Sequence, residues 1–106
     1  MKLRVFIALT WVVALPLGAA DAGFKPLFNG KDLTGWDGDP KLWSVQDGCL
    51  TGQTEEGKPI DYNKFLIWRG GTVKNFEIHA MIKQAGNNSG IQYRSKELKE
   101  VGPWSV

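Results

Sequence analysis

Trp43-Ser44-Val45-Gln46-Asp47-Gly48-Cys49-Leu50-Thr51 decides the fold class. Two runs of strand-forming residues flank Asp47-Gly48. A two-residue type I′ turn needs positive φ at both central positions, and Asp-Gly supplies it at low steric cost. The stretch therefore predicts a β-hairpin. Cys49, the single cysteine, is expected to be a small buried apolar residue in the second strand. With one thiol there is no internal disulfide and no thiolate zinc site.

Outward from the hairpin the same grammar repeats. Residues 64–69 (KFLIWR) form a compact strand candidate closed by Gly70-Gly71. Residues 76–84 alternate, with Phe76, Ile78, Ala80 and Ile82 on one face and Glu77, His79, Met81 and Lys83 on the other. Residues 91–94 (IQYR) alternate again after the turn cluster at 86–90. Residues 52–63 read as a loop, and residues 95–100 as at most a short surface turn. No segment carries a helical stripe. Glycine is 13 of 106 residues against a usual ~7%, which suits strands joined by turns. The expected class is all-β, a sandwich or jelly roll.

The N-terminus reads differently. Met1-Lys2-Leu3-Arg4 is a short basic start, residues 5–17 are apolar apart from Thr10, and small residues follow up to Ala22. That is the three-part pattern of a secretory signal peptide, with cleavage after Ala20 or, preferably, Ala22. Residues 1–22 are thus expected to be a signal peptide, and residues 23–106 a secreted or periplasmic product with no membrane attachment. Residues 23–106 keep 11 basic and 10 acidic groups, a net charge of +1. So small a balance gives no footprint for nucleic acid. About five strands without a disulfide leave long unpaired edges. Residues 23–106 are therefore expected to be the N-terminal portion of a longer domain, with little or no activity alone.

Four motifs resemble a known family. Leu27-Phe28-Asn29-Gly30-Lys31-Asp32-Leu33-Thr34-Gly35-Trp36 is similar to the LF-(N/D)-G-K-x-L-x-G-W opening of the 3-keto-disaccharide hydrolases. Residues 43–50 resemble their W-x-V-x-D-G-x-L hairpin, Asn75-Phe76-Glu77-Ile78 their (D/N)-F-E-(L/I) strand, and residues 86–94 their G-N-S-G-(I/L)-x-x-R signature. The resemblance implies an incomplete concanavalin A-like jelly-roll sandwich. It also implies an exported hydrolase or lyase acting on 3-keto-glycosides by elimination and then hydration, with an oxidised disaccharide or glycoside as partner.

That chemistry needs a base, an acid and an anion stabiliser or metal. Glu77 and His79, the single histidine, stand two residues apart on one strand face, Cα atoms about 6.6 Å apart. Gln92 and Arg94 share a face of the later strand. The candidate catalytic residues are Glu77, His79 and Arg94, and the candidate substrate-binding residues Gln92 and Trp36. Glu77 and His79 are also compatible with a divalent metal, which needs further ligands. Each of Trp36, Trp43, Trp68 and Trp104 has a face able to stack on a sugar, with core packing the default. Two alternatives from other classes stand beside the enzyme: a non-catalytic carbohydrate-binding module and an exported interaction domain. Oligomeric state is not encoded in any motif.

Overall fold

The computed structural model describes residues 2–6, 23–86 and 88–106, and of residues 2–6 the backbone alone. Among the described residues are six strands: β1 (Lys2–Phe6), β2 (Trp36–Asp37), β3 (Trp43–Gln46), β4 (Cys49–Gln53), β5 (Ile67–Trp68) and β6 (Met81–Ala85). All pairings are antiparallel. One sheet has the order β3-β4-β1-β6, the other pairs β2 with β5. No helix occurs among the described residues, hence none long and apolar enough to cross a membrane. The chain is all-β.

The β3–β4 hairpin closes as its sequence requires. Gln46 faces Cys49 across the two-residue turn, and Asp47 and Gly48 have φ of 52° and 70°. Among the strands whose side chains are described, β4 is the most deeply buried, with Cys49, Leu50 and Thr51 each at most 1% exposed. Leu50 and Phe28 form the core, and Leu27, Leu33, Trp36, Val45 and Leu66 pack around them.

Gly52 is needed for contact rather than for backbone freedom. A Cβ there would lie 2.7 Å from Cζ3 of the Trp43 ring, directly across the ladder. Gly52→Ala is expected to lower stability by about 1–3 kcal/mol through overpacking, read as a fall in Tm. The same ring's buried Nε1 has no hydrogen-bond partner among the described residues.

Three expectations change. Residues 76–84 form strand only from Met81, and residues 91–94 form none. Residues 64–69 shorten to β5. The reason is that a strand exists only where a neighbouring backbone completes its ladder; alternation supplies the faces but not the partner. Arg94, at φ 55°, also leaves the extended region. The alternating apolar set is not a core face: Phe76, Ile78 and Ile82 are exposed, as is Met81 on the opposite set. The fourth finding concerns the N-terminus. Lys2–Phe6, read as the start of a signal peptide, is a central strand between β4 and β6. The cleavage sites after Ala20 and Ala22 lie outside the described residues.

Residues 97–106 fold back onto the smaller sheet. Phe65 N–H donates to the Trp104 carbonyl at 2.8 Å, and Leu98 N–H to the Ser105 carbonyl at 2.9 Å. Arg69 N–H continues the β2–β5 pairing by donating to the Gly35 carbonyl at 2.8 Å.

Candidate functional site

Glu77 and His79 lie in the extended run that leads into β6. Their i, i+2 spacing puts both side chains on one side, and His79 Nε2 stands 2.7 Å from Glu77 Oε1. The other side of the imidazole is covered by Phe24, stacked at 4.2 Å between ring centroids and 28° between planes. A carboxylate thus fixes one ring nitrogen and an aromatic face fixes the ring plane. Both side chains remain more than half exposed. This pair is able to take and return a proton at a ligand resting on the surface.

Gln92 and Arg94 are exposed in the segment that follows. Phe76 and Tyr93 meet edge to face, 6.1 Å between centroids, so the segments carrying Glu77 and Gln92 run past each other. The structure joins Glu77 to His79. It does not join Gln92 or Arg94 to that pair through any hydrogen bond or ion pair among the described residues. Trp36 is half-buried in β2, packed against the Phe28–Leu50 core, and its indole N–H donates to the Leu27 carbonyl at 2.8 Å. Its polar atom is committed inside the fold.

A second constellation was not evident in the sequence. The Arg69 guanidinium donates to both Glu97 oxygens, Nη1–Oε2 at 2.6 Å and Nη2–Oε1 at 2.7 Å. It also reaches Asp37 Oδ2 from Nη2 at 2.7 Å and Nε at 3.1 Å. Trp104 Nε1 donates to the other Asp37 oxygen at 2.6 Å. With Lys99, Gly102 and Pro103 these residues line an open depression of about 430 Å³. The partners are 28 to 67 positions apart in the chain. No local pattern could have grouped them; Trp104 alone carried a signal, as an aromatic with a free sugar-stacking face.

The charges in this cluster are mutually stabilised. The Trp104 indole N–H and then Arg69 hold Asp37 below the usual carboxylate range. Arg69 does the same for Glu97, and the two carboxylates raise Arg69 in return. Nearby, Lys64 and then the Lys41 amide lower Asp39, which accepts from Lys64 Nζ at 2.8 Å. Asp32, held by Thr34 and Asn29 in the Asn29–Thr34 turn, falls to about 2.

Each carboxylate binds its proton less readily folded than unfolded. Its stabilising effect is therefore complete above the ordinary values of 3.8 for Asp and 4.5 for Glu, and is lost as pH falls below them. Tm is expected to hold steady from pH 7 to about 5 and to fall steadily below that. Asp37→Asn should flatten the acid limb, and thermal melts at stepped pH read the difference.

Among the described residues no group of three or more His, Cys, Asp or Glu side chains is placed to hold a metal ion. Glu77 and His79 would be two ligands of any such set.

The family whose members are described as a 3-keto-alpha-glucoside-1,2-lyase-like domain matches residues 23–106. The chain belongs to that family. A 3-keto-disaccharide hydrolase from Bacteroides thetaiotaomicron is similar to it, 33% identical over 88 residues, covering 72% of this chain and 29% of the relative. The chain thus spans less than a third of the length of that curated relative. No solved structure matches it. The family match begins at Gly23, immediately after the leader-like segment, and includes every candidate site residue of this lyase-like domain.

Proposed function

We propose that this lyase-like domain takes part in cleaving 3-keto-glycosides by elimination followed by hydration, and that Glu77 and His79 handle the protons. The observation that carries the reading is the 2.7 Å imidazole–carboxylate contact on an exposed surface, in a chain of this family. A ketone at C3 acidifies the C2 proton. His79 Nδ1, the ring nitrogen opposite the one bonded to Glu77, is the base that removes it, and the C–H electrons pass into the C3 enolate. Collapse of the enolate forms the C1–C2 double bond and expels the glycosidic oxygen from C1, which leaves with a proton. Water then adds across the double bond, hydroxyl to C1 and hydrogen to C2. Arg94 would stabilise the enolate oxygen and Gln92 hold a sugar hydroxyl. A divalent metal, if used, would supply the same enolate stabilisation with Glu77 and His79 among its ligands.

The reading places the protein outside the cytoplasm, with residues 1–22 as its leader, and gives it a sandwich of the jelly-roll type. Turnover is expected from a protein that carries residues 23–106 over the full length of the curated relative, of which this chain spans less than a third. The test is turnover in D₂O. Elimination and hydration leave one deuterium at C2 of the released 3-keto sugar, a gain of one mass unit. Direct hydrolysis would leave C2 protiated and would rule this pathway out.

The Arg69 depression favours a second reading, carbohydrate binding without turnover. Planar charged groups beside the Trp104 indole suit sugar hydroxyls and a ring face. Arg69→Met should then abolish binding of a 3-keto-disaccharide in a calorimetric titration while leaving any turnover by Glu77 and His79 intact.

A further inference from the structure

β1 is an unusual ligand for its own sheet. It is paired along both edges: Lys2, Leu3, Arg4 and Val5 face Gln53, Gly52, Thr51 and Leu50 of β4, and Lys2 through Phe6 face Ala85 through Met81 of β6. β4 has β3 on its other side, but among the described strands β6 has β1 alone. β1 therefore carries the whole ladder that holds β6, the strand immediately following the Glu77–His79 run, to the rest of the fold. Yet residues 2–6 lie outside the family match, which begins at residue 23, and inside a segment with the pattern of a removable leader.

We propose that the slot between β4 and β6 is a strand-binding site whose exchangeable occupant in this chain is Lys2–Phe6. The gap is two strand spacings wide, roughly 9.6 Å, so it admits one extended backbone antiparallel to both walls. Recognition is by main-chain N–H and C=O groups, as in strand addition to a sheet edge. Occupancy by residues 2–6 is favoured by tethering, which places them at a local concentration of about millimolar order. Removing the N-terminal segment leaves two facing rows of unsatisfied backbone groups on β4 and β6. The unprocessed and processed chains then differ in whether β6 is held.

The test uses the full 106-residue chain, its Arg4→Pro/Val5→Pro variant and a labelled free Lys-Leu-Arg-Val-Phe peptide. Adjacent prolines remove one donor toward each neighbouring strand. In the unaltered chain, those amides of residues 82–84 that face β1 should be protected from exchange, and the peptide should bind only above about millimolar concentration, where it begins to compete with the tether. In the variant, those amides should exchange at least about tenfold faster while the β3–β4 hairpin stays protected, and the peptide should bind and restore protection. Equal peptide binding to both chains overturns the proposal. So does protection of residues 82–84 that is unchanged in the variant, or that rises with protein concentration, which would mean exchange of the strand between two copies. If the variant does not fold, the unaltered chain still decides: rapid exchange at residues 82–84 there contradicts an occupied slot.

Discussion

His79→Ala, made in a protein that carries this segment within a complete family domain, is expected to lower turnover of a 3-keto-disaccharide by about 10²–10⁴-fold. On the proposed reading the imidazole removes the C2 proton; among the described residues Phe24 covers one of its faces and Glu77 occupies Nε2, which leaves Nδ1 for the sugar. Because His79 is exposed and outside the Phe28–Leu50 core, Tm should shift little, within about 0.5 kcal/mol of stability. Loss of rate without loss of fold separates a chemical role from a structural one. Glu77→Gln keeps a hydrogen-bonding group at the same position but removes its charge. It should lose less, and mainly in kcat, since the pair acts on the transition state rather than on sugar binding. Steady-state rates for the two variants beside the unaltered protein check both statements.

Phe28→Ala is expected to cost about 3–5 kcal/mol. The ring is 1% exposed and shares the core cluster with Leu50. Leu27, Leu33, Trp36, Val45 and Leu66 pack against this pair and lose those contacts when the ring is removed. A small domain has a total stability of roughly 5–15 kcal/mol, and a sheet this short should sit near the lower end. The variant is expected to be largely unfolded at room temperature, seen as loss of the cooperative melt. Leu50→Ala should behave alike, because β4 holds the same core from the other side. Cys49→Ala, which removes only a sulfur, should cost much less.

What was legible in the sequence divides along a physical line. The Asp47-Gly48 hairpin was legible because turn chemistry is local: two residues dictate the backbone, and their neighbours merely extend. The burial of Cys49, the absence of helices among the described residues and the pairing of Glu77 with His79 followed from equally short-range patterns. The strand at 91–94 and the first half of 76–84 were misread because alternation reports which side chains share a face, while a ladder also needs a second backbone beside it. The Asp37–Arg69–Glu97–Trp104 cluster was invisible for a related reason. Four residues from distant parts of the chain meet only once residues 97–106 have folded back on β2 and β5. Trp36, a candidate sugar contact, is half-buried. A tryptophan after a turn is equally well placed to reach inward, and here its N–H finds the Leu27 carbonyl.

The claim on which the chemistry depends is that an oxidised sugar rests against Glu77 and His79. A crystal structure of a complete family domain carrying this segment, with a 3-keto-glycoside bound and turnover slowed by Glu77→Gln, tests it most directly. Sugar C2 is expected within about 3–3.5 Å of His79 Nδ1, with Arg94 or a cation at the C3 oxygen. A sugar seated instead in the Arg69–Glu97 depression, or with C2 out of reach of the imidazole, would contradict it.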